Sequence, residues 1–143
     1  MAVNYKAIAK KLKFEGRAFI NGKYVNAIDG KKFETINPAT GEKLCSVVKC
    51  NHKDVDLAVK VSRKAFNSGV WSRTSPEFRK DILLKFAELL RQTGEENSVL
   101  ECVDTGKLIG DCINEVANDA PMHFQWYGEL IDKVFGKVGP TEP

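Results

Sequence analysis

At Asn51 the spacing of apolar residues changes from strand-like alternation to helical spacing, and few architectures accommodate that change within one short chain. Before it, three turn signals divide the chain. Asn21-Gly22 separates Ala18-Phe19-Ile20 from Lys23-Tyr24-Val25, a strong hairpin signal because both central residues must take positive φ. Asp29-Gly30 and Asn37-Pro38-Ala39-Thr40-Gly41 then mark off Phe33-Glu34-Thr35-Ile36 and the run Lys43 to Lys49 as further strands. The pattern predicts a short antiparallel β-meander.

After Asn51 four helices are expected. Val55, Ala58, Val59, Ser62, Ala65 and Phe66 make one face of the first, which stops at Gly69. Ser75-Pro76 gives an N-cap followed by proline at the first helical position, where a missing N–H costs nothing. The helix it opens carries Phe78, Ile82, Leu83, Phe86, Leu89 and Leu90 and ends near Gly94. A shorter helix runs from about Glu95 to Asp104. The last one places Ile113, Val116, Ala117, Ala120, Phe124, Tyr127, Ile131 and Val134 on one stripe up to Gly136, with a kink at Pro121. The fold class is therefore α+β as a chain.

Residues 1–16 form a separate feature. Tyr5, Ile8, Ala9 and Leu12 fall on one side of a short amphipathic helix and lysines on the other, so the arm is expected to dock on another surface. Residues 1–17 hold five basic groups and one acid, whereas the remainder is nearly balanced, so the net charge of +3 belongs to the arm. A nucleic-acid domain would carry its basic groups on the folded body with aromatics among them, so nucleic-acid binding is not expected. No apolar run approaches the ~20 residues that span a bilayer, and no secretory leader is recognisable. A mitochondrial presequence is a weaker alternative, because the arm lacks serine and its first arginine is Arg17. The tail Gly139–Pro143 is expected to be loose.

Candidate chemistry is sparse. Cys45, Cys50, Cys102 and Cys112 form no C-x-x-C pair, which favours reduced, mostly buried thiols and a cytoplasmic setting. Gly106-Lys107 fails as a phosphate loop, since Glu101 stands at the first glycine position and Leu108 at the hydroxyl position. His52 and His123 are far apart and read as structural. Asp111, Glu115 and Asp119 recur every four residues, either as a carboxylate cluster or as a solvated acidic face, the latter being favoured. Read from its residues alone, the chain shows no self-contained active site.

The order of its segments is more telling. Phe19-Ile20-Asn21-Gly22-Lys23-Tyr24-Val25, then Asn37-Pro38-Ala39-Thr40-Gly41-Glu42, then Glu101-Cys102-Val103-Asp104-Thr105-Gly106-Lys107, then Trp126-Tyr127 with Asp132-Lys133 and Gly136, resemble the start of NAD(P)-dependent aldehyde dehydrogenases. The arm is most similar to the extended starts of the bacterial γ-glutamyl-aminobutyraldehyde dehydrogenase type. The resemblance implies that residues 17–143 are the N-terminal part of a cofactor domain, without its Rossmann-like sheet.

It further implies an oxidoreductase that converts aldehydes, aminoaldehydes in the narrower reading, to carboxylic acids with NAD or NADP. Family members attack the aldehyde with a cysteine in a Gly-Gln-x-Cys context. None of the four cysteines here follows Gly-Gln, so no catalytic or cofactor-binding residue is assigned within this chain, which alone is expected to be inactive and to hold no cofactor. The implied partners are the remainder of the enzyme or sister subunits, as a homo-oligomer, together with a small aldehyde; neither nucleic acid nor membrane is expected. The alternative is a non-enzymatic truncated module that associates with a full-length relative. Two sites carry over. Thr35, Ile36 and Asp104 match a structural monovalent-cation site, with local backbone capping as the other reading of Asp104; Asp119 matches an acid at the substrate entrance of aminoaldehyde-handling members.

Overall fold

The structure, a computed structural model, describes residues 3–137, so the Gly139–Pro143 tail lies outside the described residues. Helix α1 spans Tyr5–Ala9, strands β1 to β4 span Ala18–Ile20, Lys23–Val25, Lys32–Ile36 and Lys43–Val48, and helices α2, α3 and α4 span His52–Ser68, Pro76–Gln92 and Gly94–Thr105. Helix α5 (Ile109–Cys112) runs into a π-helical segment, Ile113–Asp119, and that into α6 (Ala120–Leu130). The α+β class holds. No helix among the described residues is long and apolar enough to cross a membrane.

The strands differ from the expected meander. They form two separate antiparallel hairpins, β1–β2 and β3–β4, with no pairing between β2 and β3. The connection explains the break: Ala27 is buried, and the Ile28 N–H donates to Asp54 Oδ1 at 2.9 Å. Buried Asp54 also closes the capping box of α2, its Oδ2 accepting from the Asn51 N–H at 2.9 Å while Asn51 Oδ1 accepts from the Lys53 N–H at 2.8 Å. One carboxylate thus starts a helix and holds the chain between the hairpins, which draws β3 away from β2.

The local signals otherwise act as anticipated. Asn21 and Gly22 both have positive φ, 55° and 76°. Ser75 Oγ accepts from the Phe78 N–H at 3.1 Å ahead of Pro76. Gly69 and Gly106 close α2 and α4 in the left-handed conformation. The arm packs on α4, with an apolar hollow between them lined by Val3, Tyr5, Ala9, Val99, Val103 and Ile109.

The last helix departs from expectation in register. Pro121 has no N–H for the preceding turn, and the chain answers with π-type bonding, the Ala120 N–H donating to the Glu115 carbonyl. Each extra residue turns a helix by about 100°, so the inward face moves on by one position. Pro121 and Gly128 are buried, whereas Tyr127, expected inside, is 60% exposed. Gly128 lets α6 approach α3, because a Cβ there would stand 3.1 Å from Leu83 Cβ. Phe124 meets Phe86 of α3 edge-on with centroids 4.6 Å apart. The helix ends at Leu130 rather than near Gly136, since Val134 and Phe135 have nothing to pack against and remain 73% and 83% exposed.

The core is thin. Among the described residues its buried apolar side chains are Ala27, Val48, Ala87, Val99, Cys112 and Pro121, and the accessible surface is 11109 Å². A compact 15.9 kDa monomer would show about 7,400 Å². Much of the excess is apolar, including Val55, Val59 and Phe66 on α2 and Trp126 and Tyr127 on α6.

Two glycines separate packing from propensity. A Cβ on Gly94 would lie 2.8 Å from Ala117 Cβ and 3.1 Å from its Cα, whereas a Cβ on Gly110 would meet nothing within 4 Å. Gly110→Ala should raise thermal stability by up to about 1 kcal/mol through helix propensity. Gly94→Ala should lower it by about 1 kcal/mol or more, because overlap with the π segment outweighs the same gain. Paired thermal melts read the difference.

Candidate functional site

The two turn motifs meet in space. Asn37 shapes the β3–β4 turn by accepting the Ala39 N–H on Oδ1 at 2.9 Å, while its backbone carbonyl accepts the Gly41 N–H at 2.8 Å. Pro38 then packs on Gly106, where a Cβ would be 2.8 Å from Pro38 Cγ. Only a residue without a side chain, in a left-handed conformation, allows that approach. The hairpin and the end of α4 are thereby locked together.

Beside this contact a cavity of about 710 Å³ separates the hairpin from α4. Thr35 and Cys45 reach it from the sheet, and Asn97, Leu100, Glu101 and Asp104 from α4. Thr35 and Cys45 are paired across the strands, and the register shifts immediately after them, so that Leu44 is the extra residue of a bulge. Thr35 Oγ1 lies 3.5 Å from Cys45 Sγ. The segment leading into β1 closes the rim with Lys13, Phe14 and Glu15. Gly16 is pressed against β4, the Val48 N–H donating to its carbonyl at 2.8 Å, where a Cβ would collide with the Ser46 carbonyl.

Charge around the cavity is unevenly committed. Glu15 accepts from Arg17, with Oε2 2.6 Å from Nη2 and Oε1 2.8 Å from Nε, and this pairing holds its carboxyl down at about 2. Glu101 lies 3.5 Å from Lys107 Nζ, which also binds Glu115 Oε2 at 2.5 Å. The bond to Glu115 is the main cause of the raised Lys107 pKa. Lys107 therefore ties the turn after α4 to the π segment. Asp104 has no hydrogen-bond or ion-pair partner among the described residues.

Of the cation-site residues expected from sequence, Thr35 and Asp104 face one cavity and Ile36 is not part of its lining. Among the described residues there is no group of three or more His, Cys, Asp or Glu able to hold a metal ion by side chains alone. Asp119 is elsewhere, exposed at the end of the π segment. The acidic series does not act together: Glu115 is taken by Lys107, while Asp111 and Asp119 have no side-chain partner among the described residues. All four cysteines are free, and burial pushes the Cys112 thiol up. Lys107's bridge and Glu15's place on the rim were not readable beforehand, since neither follows from spacing along the chain.

These arrangements match known proteins. The aldehyde dehydrogenase family profile covers residues 24–143, and the chain belongs to that family. It is 40% identical over 137 residues to the aminoacetaldehyde dehydrogenase of Pseudomonas aeruginosa, a match covering 96% of this chain and 28% of that protein. The solved γ-glutamyl-γ-aminobutyraldehyde dehydrogenase of Burkholderia cenocepacia superposes with a TM-score of 0.92 at 40% identity, over 96% of this chain and 28% of its own. The P. syringae indole-3-acetaldehyde dehydrogenase, solved with NAD+, gives 0.91 at 41% identity, with the same 96% and 28% coverage. The chain thus spans about a quarter of the length of the relatives it matches. Its fold is the N-terminal part of theirs.

Glu15 offers a test of the cavity's electrostatics. Its carboxyl drops from 4.5 to about 2 in the fold. A lowered folded-state value means that the Glu15–Arg17 pair stabilises the fold above about pH 4.5 and that this contribution fades as pH falls towards about 2. Carboxyl-detected NMR titration should find Glu15 ionised well below its ordinary value of 4.5, and Arg17→Ala should raise it back towards that value.

Proposed function

We propose that this chain is the N-terminal portion of an NAD- or NADP-dependent aldehyde dehydrogenase that oxidises aldehydes, and aminoaldehydes in particular, to carboxylic acids. The observation that carries the reading is the match over nearly the whole chain to an aminoacetaldehyde dehydrogenase, supported by the fold shared with a γ-glutamyl-γ-aminobutyraldehyde dehydrogenase. In this reading the chain contributes scaffold and a substrate entrance, while nucleophile and cofactor contacts come from the remainder of the enzyme, and the 143 residues alone neither bind the cofactor tightly nor turn over aldehyde. Residues 1–16 act as a docking arm and residues 17–143 as part of the cofactor domain, in a cytoplasmic homo-oligomer.

The exposed apolar faces of α2 and α6 favour burial against further protein. The same faces support the second reading, a truncated module that associates with a full-length relative. Isothermal titration with NAD+ and an aldehyde-oxidation assay on the purified chain separate an inactive portion from a competent enzyme; measurable turnover overturns the proposal.

Asp119 is proposed as the acid that receives a substrate's distal ammonium. Its carboxylate is uncommitted, next to the Pro121 turn and on the helix that carries Trp126 and Tyr127. In the enzyme carrying this segment, Asp119→Ala should lower kcat/KM for an aminoaldehyde about fivefold, corresponding to an ionic contact of ~1 kcal/mol, and leave an alkyl aldehyde of equal length nearly unchanged. Equal responses would remove the role. For the cation, Asp104's free carboxylate and Thr35 supply oxygen donors of the kind a hard monovalent ion takes, with Ile36 contributing through its backbone. Exchanging potassium for the bulky tetramethylammonium ion should lower the thermal midpoint of the wild type and not that of Asp104→Ala.

A further inference from the structure

Helix α1 lies over α4 without filling the space beneath it. The hollow between them has a volume of about 640 Å³, within the ~300–1,000 Å³ of pockets that take small organic ligands. Tyr5 and Ala9 face it from the arm, four residues apart, and Val99 and Val103 face it from α4 with the same spacing. Val3 and Ile109 complete the apolar wall. Although the arm packs on α4, helix α1 has no buried residue. Its apolar side therefore stands largely against open space. A five-residue helix is too short to persist by itself, so its place depends on what fills the space below it.

The lining includes one charged residue, and it is a cation. Lys6 is exposed at the edge of the hollow, and its ammonium has no hydrogen-bond or ion-pair partner among the described residues. No acid lines the hollow. The carboxylates of α4 lie elsewhere: Glu101 and Asp104 line the cavity on the sheet side, and Glu95 and Glu96 line a separate hollow with Lys11. Lys10 and Lys11 follow Lys6 on the same short arm, so the local field is positive. Asn4 and Cys102 also reach the hollow but are engaged, Asn4 Oδ1 accepting the Ala7 N–H at 3.0 Å and the Cys102 thiol donating to the Lys107 carbonyl at 3.1 Å. An apolar hollow with one uncommitted ammonium at its edge suits an aliphatic chain that ends in a carboxylate. Its methylenes leave water for the valine and isoleucine side chains, and its head pairs with Lys6.

We propose that the hollow between α1 and α4 is a binding site for a monomeric medium-chain aliphatic carboxylate, with Val99, Val103 and Ile109 as the wall for the chain and Lys6 as the group that receives the head. The site lies apart from the features used for the aldehyde-oxidising reading and does not rest on it. Filling the hollow gives the arm the apolar partner that α4 alone does not supply, so the ligand and the docked arm stabilise each other.

The test is methyl-detected NMR titration of the 143-residue chain with sodium octanoate, sodium hexanoate and n-octylammonium chloride, each below its micelle concentration, at about pH 7, where the carboxylates are ionised. Octanoate should shift the Val99, Val103 and Ile109 methyls saturably. Hexanoate should bind about tenfold more weakly for the two methylenes it lacks, and octylammonium about fivefold more weakly or worse, because its charge repels that of Lys6. Lys6→Glu should weaken octanoate binding about fivefold, whereas Lys13→Glu, on the rim of the other cavity, should leave it unchanged. Ala9→Trp, which fills the hollow from the arm and leaves the core untouched, should abolish the shifts while the remaining spectrum stays folded. No saturable shift at these methyls, octylammonium binding as tight as octanoate, equal losses from Lys6→Glu and Lys13→Glu, or undiminished binding by Ala9→Trp overturns the proposal. So does association with phosphatidylglycerol vesicles in the absence of saturable octanoate binding, which would make the arm a membrane contact instead.

Discussion

Pro121 brings no N–H into the middle of a helix, and the arrangement of the C-terminal half follows from how that missing donor is accommodated. The turn before it widens to π bonding, which avoids leaving a gap in the hydrogen-bond ladder and rotates everything after it. Gly128 then faces α3 and permits a close helix pair, extended by Phe124 on Phe86 and by the Lys80–Asp132 bridge. Gly94 receives Ala117 of the same π segment, so one irregular turn is fitted against α4 on one side and sets α6 against α3 on the other.

A second junction holds the sheet side. The hairpin turn headed by Asn37-Pro38 rests on the glycine that ends α4, and Lys107, the next residue, reaches across to Glu115. Residues from two segments some seventy positions apart, roughly half the chain, thus organise one corner. The strand bulge at Leu44 and the cavity holding Thr35 and Asp104 lie beside it. A long-range contact of this kind is costly in chain entropy and is justified by several groups ordered together.

The thin core and large accessible surface describe a chain whose elements are well formed but whose apolar faces are only partly paired. Helices α2 and α3 both have strong caps, and α3 in addition packs along α6, whereas the described part of α2 is anchored chiefly through Asp54 at its start. Their outward apolar residues are consistent with a chain that spans about a quarter of the relatives it matches.

Local chemistry was legible in the sequence. Asn21-Gly22 fixed a tight turn because both residues tolerate positive φ, Ser75-Pro76 started α3 because the cap oxygen replaces a missing acceptor, and Gly69 and Gly106 ended helices because no Cβ opposes the left-handed conformation. Motif order pointed to the family, since Asn37-Pro38-Ala39-Thr40-Gly41-Glu42 and Asp104-Thr105-Gly106-Lys107 carry information beyond hydropathy. Tertiary structure decided what no local pattern encodes. Asp54 split the expected meander in two because its carboxylate bonds a backbone N–H twenty-six residues away. The π turn moved Tyr127 outside because closeness to α3 favours glycine at the contact. Thr35 and Asp104 came to share a cavity while Ile36, next to Thr35, did not, because adjacent strand residues point to opposite faces and only the folded hairpin determines which face meets α4.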